Sequence, residues 1–319
     1  MFFSKAAAQL AHNGPLPLPS KVEGMKNPHP AYEGRPLPRP RDEVVDQGLG
    51  FDVETLLDRR RALRFLGLGA AGAVLTACSG GSSGTTTTSS SASASAASGE
   101  IPDETAGPYP GDGSNGPDVL EQSGVVRGDI RSSFGTGSAT AEGVPMTLEL
   151  VVADLAKGGS PFAGVAVYVW HCDREGRYSL YSQGIENENY LRGVQLADAD
   201  GRVRYTSVFP ACYDGRWPHI HFEVYPDQAG ITDATQAIAT SQVALPQNVC
   251  EAVYARPGYE QSTSNLAKVS LSDDNVFGDD SGALQLATVT GDVTSGYTVT
   301  LNVGVDTSTK PSGGQPPSR

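Results

Sequence analysis

A chain of 319 residues is long enough for two domains, but 22 Pro, 38 Gly and long Ser/Thr/Ala tracts remove much of it from any core and favour one compact domain. A formal charge of -13, with no dense Lys/Arg patch, excludes a nucleic-acid binder, which needs cations to neutralise phosphates. The ligand class that fits such a surface is an uncharged or anionic small molecule.

In chain order, residues 1–58 form a Pro-rich extension ("GPLPLPS", "GRPLPRPRDE") without a sustained hydrophobic period, expected to be disordered. Residues 59–78 read as an export signal: an arginine cluster at Arg59–Arg61 precedes an apolar run from Phe65 to Ala77 that is short for a mature bilayer span. The paired arginines resemble a twin-arginine signal, and "LTAC" resembles a lipobox whose Cys78 would carry lipid. A single-pass anchor or an ordinary secretory signal is the alternative. The expected location is therefore extracellular, tethered as a lipoprotein or secreted. Residues 79–100, rich in Ser, Thr and Ala, read as a flexible linker, and 306–319 as a disordered tail.

Between 101 and 305 the pattern changes to short β-branched and aromatic runs separated by turn residues. "MTLELVVAD", "GVAVYVWHCD", "GRVRYTSVFP", "HIHFEVYP", "GALQLATVTG" and "GYTVTLNVGV" each predict a strand. Alternation in "VRYTSVF" and "YTVTLNV" predicts half-buried antiparallel strands, and together the runs predict an all-β sandwich. "TDATQAIATSQ" and "PQNVCEAVYA" are expected as short helices or helical turns. With Cys78 lipidated, Cys172, Cys212 and Cys250 remain; one disulfide and one free thiol are expected, with Cys212–Cys250 the preferred pair.

Chemistry concentrates in "CYDGRWPHIHFEVY". A strand repeats every two residues, so His219 and His221 project from one face and can converge on a metal ion. The alternative is a core pair of histidines with no ligand. Tyr213 and Arg216 lie in the loop leading into this strand, and Tyr178 follows a Gly-containing turn in "WHCDREGRYSLYS". Two tyrosinates with two neutral imidazoles form a donor set suited to a trivalent ion, which points to ferric iron; zinc more often takes a third His, a carboxylate or thiolates. Glu223 would be the carboxylate of an iron facial triad, at the expense of leaving Tyr213 and Arg216 without a role.

The order W-H-x-D-x-x-G-x-Y-S, D-x-x-G, P-x-x-Y and R-x-x-H-I-H-F, spanning Glu104 to Cys250, resembles the intradiol ring-cleavage dioxygenases, in its exported, single-domain branch. The resemblance implies a non-haem Fe(III) enzyme that opens a catechol ring between its hydroxyls with O2, giving a cis,cis-muconate-type diacid. It puts the metal ligands at Tyr178, Tyr213, His219 and His221, with Tyr213 also taking up a catechol proton. Arg216 falls beside the substrate ring, and Gln242 matches a glutamine that follows the histidine strand after about seven extra residues. "ETAGPYPG" resembles the segment opening the catalytic domain, with Tyr109 near the pocket mouth.

Competing readings stay open on the sequence alone. Tyr181 and Tyr190 compete with Tyr178, Arg216 could serve only as a surface partner of Asp214, and Trp170 and Trp217 read as packing residues, Trp217 doubling as a pocket wall. Absence of a helical dimerisation domain favours a monomer. The rival functions are an exported binding module for aromatic or carbohydrate ligands and a divalent-metal hydrolase.

Overall fold

The computed structural model describes residues 97–311, together with a short pairing of Ala31–Tyr32 with Arg35–Pro36. The expected export signal, Cys78, most of the linker and the end of the tail lie outside the described residues. Two sheets pack face to face. The first is built on β1 (Pro145–Asp154), flanked on one side by β5 (Arg202–Val208) and the short β2 (Ser160–Pro161), and on the other by β9 (Gly296–Val305) with β8 (Thr288–Asp292) at the edge. β9 runs parallel to β1, while the other pairings are antiparallel. The second sheet has the order β4 (Arg192–Leu196), β3 (Ala166–Trp170), β6 (His219–Tyr225), β7 (Ala239–Ala244), antiparallel throughout.

The predicted sandwich is the observed architecture, and alternation explains how it closes. Leu148, Leu150 and Val152 of β1, Val203 and Tyr205 of β5, and Val299, Leu301 and Val303 of β9 meet Val167, Val169, Ile220, Phe222 and Val224 across the inter-sheet core. Each such side chain contributes about 1.5–3 kcal/mol on burial. β5 and β9 show the expected half-buried pattern, although β9, expected to be antiparallel, pairs parallel with β1; β6 is buried along its whole length. The reason is a second apolar layer: Ala106, Val119, Leu120, Val125, Tyr178 and Ile231, from loops, cover the outer face of the second sheet over Tyr168, Trp170 and Tyr225. A strand clothed on both sides has room for functional groups only where a loop leaves a gap.

Several expectations are corrected. In "GALQLATVTG" only Thr288 onward is strand, because the backbone NH groups of Gln285 and Leu286 bond back to Gly282 in turns. "TDATQAIATSQ" opens on the last residue of one 3-10 turn, Ala229–Thr232, and contains a second, Ala234–Gln236, but Ala239 onward is β7, drawn into the sheet by β6. "PQNVCEAVYA" does form a helix, α1 (Gln247–Tyr254), followed by α2 (Glu260–Leu266). The start of the expected disordered tail is a turn, with Asp306 Oδ1 accepting from Ser308 N at 2.9 Å. Cys172, Cys212 and Cys250 are all free thiols, so no Cys212–Cys250 bridge forms; each is buried, Cys250 on the packed face of α1. Among the described residues no helix is long and apolar enough to cross a membrane.

The turn "DADG" closes on itself, Asp198 Oδ1 accepting from Asp200 N and Arg202 N, both at 2.9 Å. Gly201 sits at φ 73°, and a Cβ there would lie 2.2 Å from the Val152 carbonyl oxygen. Gly201→Ala is therefore expected to lose at least ~1–3 kcal/mol in urea unfolding, from left-handed strain and the displaced β1 carbonyl. An alanine variant as stable as the parent would refute that account.

Candidate metal centre

The outward face of β6 carries His219 and His221, 2% and 3% exposed. His219 Nδ1 lies 2.5 Å from the Trp217 carbonyl oxygen, which accepts only if Nδ1 carries the proton. Nε2 is thereby left unprotonated, its lone pair turned toward the Tyr213 hydroxyl. Tyr213 Oη and His221 Nε2 both lie 3.1 Å from His219 Nε2, so three donor atoms converge. His221 is fixed from behind by Trp170, whose ring stacks on it at 4.9 Å and 8°. On its edge, Gly107 approaches so closely that a Cβ would be 3.3 Å from His221 Cε1. Trp170 thus packs as expected, but it packs on a site residue.

Tyr178 stands edge-on to both Tyr213 and His221, with ring centroids 6.0 and 6.2 Å away. Its hydroxyl is buried without a hydrogen-bond partner, as is His221 Nδ1. The two competing tyrosines are otherwise engaged: Tyr181 Oη donates to Asn115 Oδ1 and accepts from Gly111 N, and Tyr190 Oη donates to Asp173 Oδ2. Tyr109, expected near the pocket mouth, packs on Tyr178 with centroids 4.9 Å apart.

Burial shapes the titration of these groups. It drives His219 down to about 3, with Arg216 adding to the effect, and lowers His221 well below the ordinary histidine range. It pushes Tyr213 up to about 12, against the pull of Arg216, and raises Tyr178 well above the ordinary tyrosine range, with Tyr213 contributing. The protein alone therefore holds two neutral imidazoles and two protonated phenols. A multiply charged cation among them would reverse the preference of the phenols. The orphaned Tyr178 Oη and the unprotonated His219 Nε2 fit such a cation, and two phenol oxygens with two imidazoles fit a hard, trivalent one. Among the described residues no group of three or more His, Cys, Asp or Glu is placed to hold a metal. Glu223 takes a 2.7 Å hydrogen bond from Tyr225 Oη, and burial raises it to about 8. The third ligand of a divalent hydrolase or a facial triad is thus not supplied.

Arg216 does not pair with Asp214, which meets Lys268 at the surface instead. Its Nε and Nη2 lie 3.0 and 3.3 Å from the two carboxylate oxygens of buried Asp274, and Nη2 donates to Gln242 Oε1 at 2.7 Å. Asp274 also accepts from the backbone NH groups of Trp217, Val276 and Phe277. Burial opposes its charge, but Arg216 and these donors win and hold it below the usual range. Gln242 stands opposite His221 in the β6–β7 register, and its Nε2 donates to the Thr105 carbonyl oxygen. Trp217 lies in the inter-sheet core and is not a pocket wall.

The sequence reading missed Asp274 and Arg192. Arg192 is 1% exposed and donates only to neutral oxygens: Ser179 Oγ and O, Pro110 O, Tyr168 Oη and Tyr109 O. It ties the Tyr178 loop to the 109–110 segment, between Leu180 and Leu191, which adopt φ 72° and 57°. Such backbone persists where surrounding bonds over-determine it. A lone arginine inside the apolar run "NYLRGV" was the available signal; Asp274, in "SDDNVFGDD", offered none.

Residues 115–238 match a family model described as "Dioxygenase". Among curated proteins, the chain is 32% identical over 56 residues to a chlorocatechol 1,2-dioxygenase of Rhodococcus opacus, and 38% identical over 72 residues to a catechol 1,2-dioxygenase of Pseudomonas sp. (strain EST1001). These stretches are 18% and 23% of this chain, and span 22% and 23% of the relatives' own lengths. Among solved structures, an intradiol ring-cleavage dioxygenase from Tetranychus urticae shares the fold, with TM-score 0.51 and 20% identity, over 66% of this chain and 96% of that one.

Proposed function

We propose that the folded domain, which matches a dioxygenase family model over residues 115–238 and shares its fold with an intradiol ring-cleavage dioxygenase, is itself an intradiol enzyme that binds Fe(III) through Tyr178, Tyr213, His219 and His221 and cleaves a catechol between its hydroxyls with O2. The product is a cis,cis-muconate-type diacid. The observation that carries this reading is the convergence of Tyr213 Oη, His219 Nε2 and His221 Nε2 beside the orphaned hydroxyl of Tyr178. A ferric ion held by these residues would supply Lewis acidity toward a bound catechol and the electronic coupling that makes its ring reactive to O2.

The chain's own residues do the rest. Tyr213, half-buried in its loop, is the phenol best able to swing away and take a catechol proton on Oη. His219 stays neutral and oriented through its bond to Trp217 O. Arg216, held by Asp274 and Gln242 with 14% of its side chain accessible, is a fixed cation for negative charge developing on the ring. Tyr109 closes an aromatic wall against water. We further propose export by the twin-arginine route with Cys78 as lipid anchor, a reading that rests on the motif alone.

The test is a visible spectrum with metal analysis of the chain supplied with ferric iron. A broad tyrosinate-to-iron band that changes on adding catechol is expected, and Tyr213→Phe should shift it. A protein that stays colourless after ferric reconstitution would overturn the proposal, and an unshifted band in Tyr213→Phe would remove Tyr213 from the ligands.

A further inference from the structure

The edge of the site that holds Arg216 carries more negative than positive charge. Asp274 already forms a two-point ion pair with the guanidinium and lies on a segment that runs on to Asp279 and Asp280. Both of these are exposed, and neither is in an ion pair with Lys or Arg among the described residues. Their side chains accept from backbone NH groups, Asp279 Oδ1 from Asp280 N and Asp280 Oδ1 from Ala283 N. Glu104 joins them from the opposite side. It is half-buried on the segment whose next residue, Thr105, bonds Gln242 and whose Gly107 abuts His221. Its carboxyl is raised to about 8, by burial first and then by Asp279, so Glu104 stays mainly protonated at neutral pH and the standing negative charge beyond the Arg216–Asp274 pair is that of Asp279 and Asp280.

The other buried cation cannot serve a ligand, since Arg192 Nε, Nη1 and Nη2 are all committed to protein oxygens. We infer that the site takes catechols with no anionic ring substituent and turns carboxylated catechols away by charge. This rests on the dioxygenase reading and narrows its substrate. A ring carboxylate would leave water to meet an arginine whose Nε and Nη2 are already bonded to Asp274 and Gln242, so it could not gain a two-point partner of its own, and a buried charge without such a partner is strongly disfavoured. Asp279 and Asp280, exposed on the same segment as Asp274, add a field that repels an anion during encounter.

The experiment compares kcat/KM for catechol and for 3,4-dihydroxybenzoate with the iron-loaded chain, at low and high salt, alongside Asp279→Lys/Asp280→Lys. Both positions are exposed, so the exchange does not threaten folding. Catechol should be favoured at least ~10-fold at low salt, and the charge reversal should raise the 3,4-dihydroxybenzoate-to-catechol ratio about tenfold. Added salt should shrink both effects. Equal or better use of the carboxylated substrate, or a ratio unmoved by the reversal, overturns the inference while catechol turnover leaves the dioxygenase reading standing. If the tyrosinate band is present but turnover is too slow to measure, titrating that band with each ligand reads the same ratio as binding constants. Absence of the band and of all turnover sinks the dioxygenase reading, and this inference with it.

Discussion

His221→Ala is expected to abolish iron retention and to cut ring cleavage by at least ~100-fold, since removing even a group behind a metal ligand costs about 10–100-fold. His221 combines two roles here. Its Nε2 faces His219 Nε2 at 3.1 Å, and its ring is clamped between Trp170 and Gly107. The metal-free variant should nevertheless stay folded. His221 Nδ1 is buried without a partner, and an unsatisfied buried group costs about 1–3 kcal/mol, which offsets much of the cavity that alanine leaves. The measurement is metal content and the visible band, beside circular dichroism of the iron-free protein. An alanine variant that keeps both iron and the band would show that the histidine pair is structural.

Asp274→Ala should be the more damaging change to the fold, by about 3–5 kcal/mol, because it leaves Arg216 charged and largely buried without its counter-ion. Three backbone NH groups lose their acceptor as well. Asp214→Ala is the internal control: its contact with Lys268 is exposed on both sides, and such pairs contribute about 0–1 kcal/mol. Urea unfolding of the two variants separates the readings of Arg216. If Asp214→Ala proved the costlier, the buried pair would not be what holds the guanidinium. Activity of Asp274→Ala should fall together with stability, since Gln242 alone is left to orient Arg216.

The histidine pair was legible because strand periodicity alone puts residues two apart on one face, and no distant contact is needed to know it. The sandwich was legible for the same reason, from alternation in β5 and β9. What stayed hidden depends on loops meeting strands. Tyr178, Tyr181 and Tyr190 look alike in sequence, and they separate only when Asn115, Gly111 and Asp173 engage two of their hydroxyls. Gln242 lay in a segment without clear period, and its position opposite His221 follows from a register set by β6. Asp274 is 58 residues from Arg216, with no spacing rule to connect them. The cysteines misled because an oxidising compartment makes pairing the default, whereas burial of each thiol in apolar surroundings is an equally stable outcome.

The segment that enters the domain lies against both the last strand and the site. Ile101 N bonds to the Gly304 carbonyl oxygen of β9, and only then does the chain pass Glu104, whose backbone NH meets Thr240, to Thr105 on Gln242 and Gly107 on His221. Ile101 is therefore a mechanical clamp. A force applied upstream of residue 97 would meet the Ile101–Gly304 bond before it reached Glu104, Thr105 and Gly107, so the contacts that this segment makes with Gln242 and His221 lie downstream of an anchor on β9.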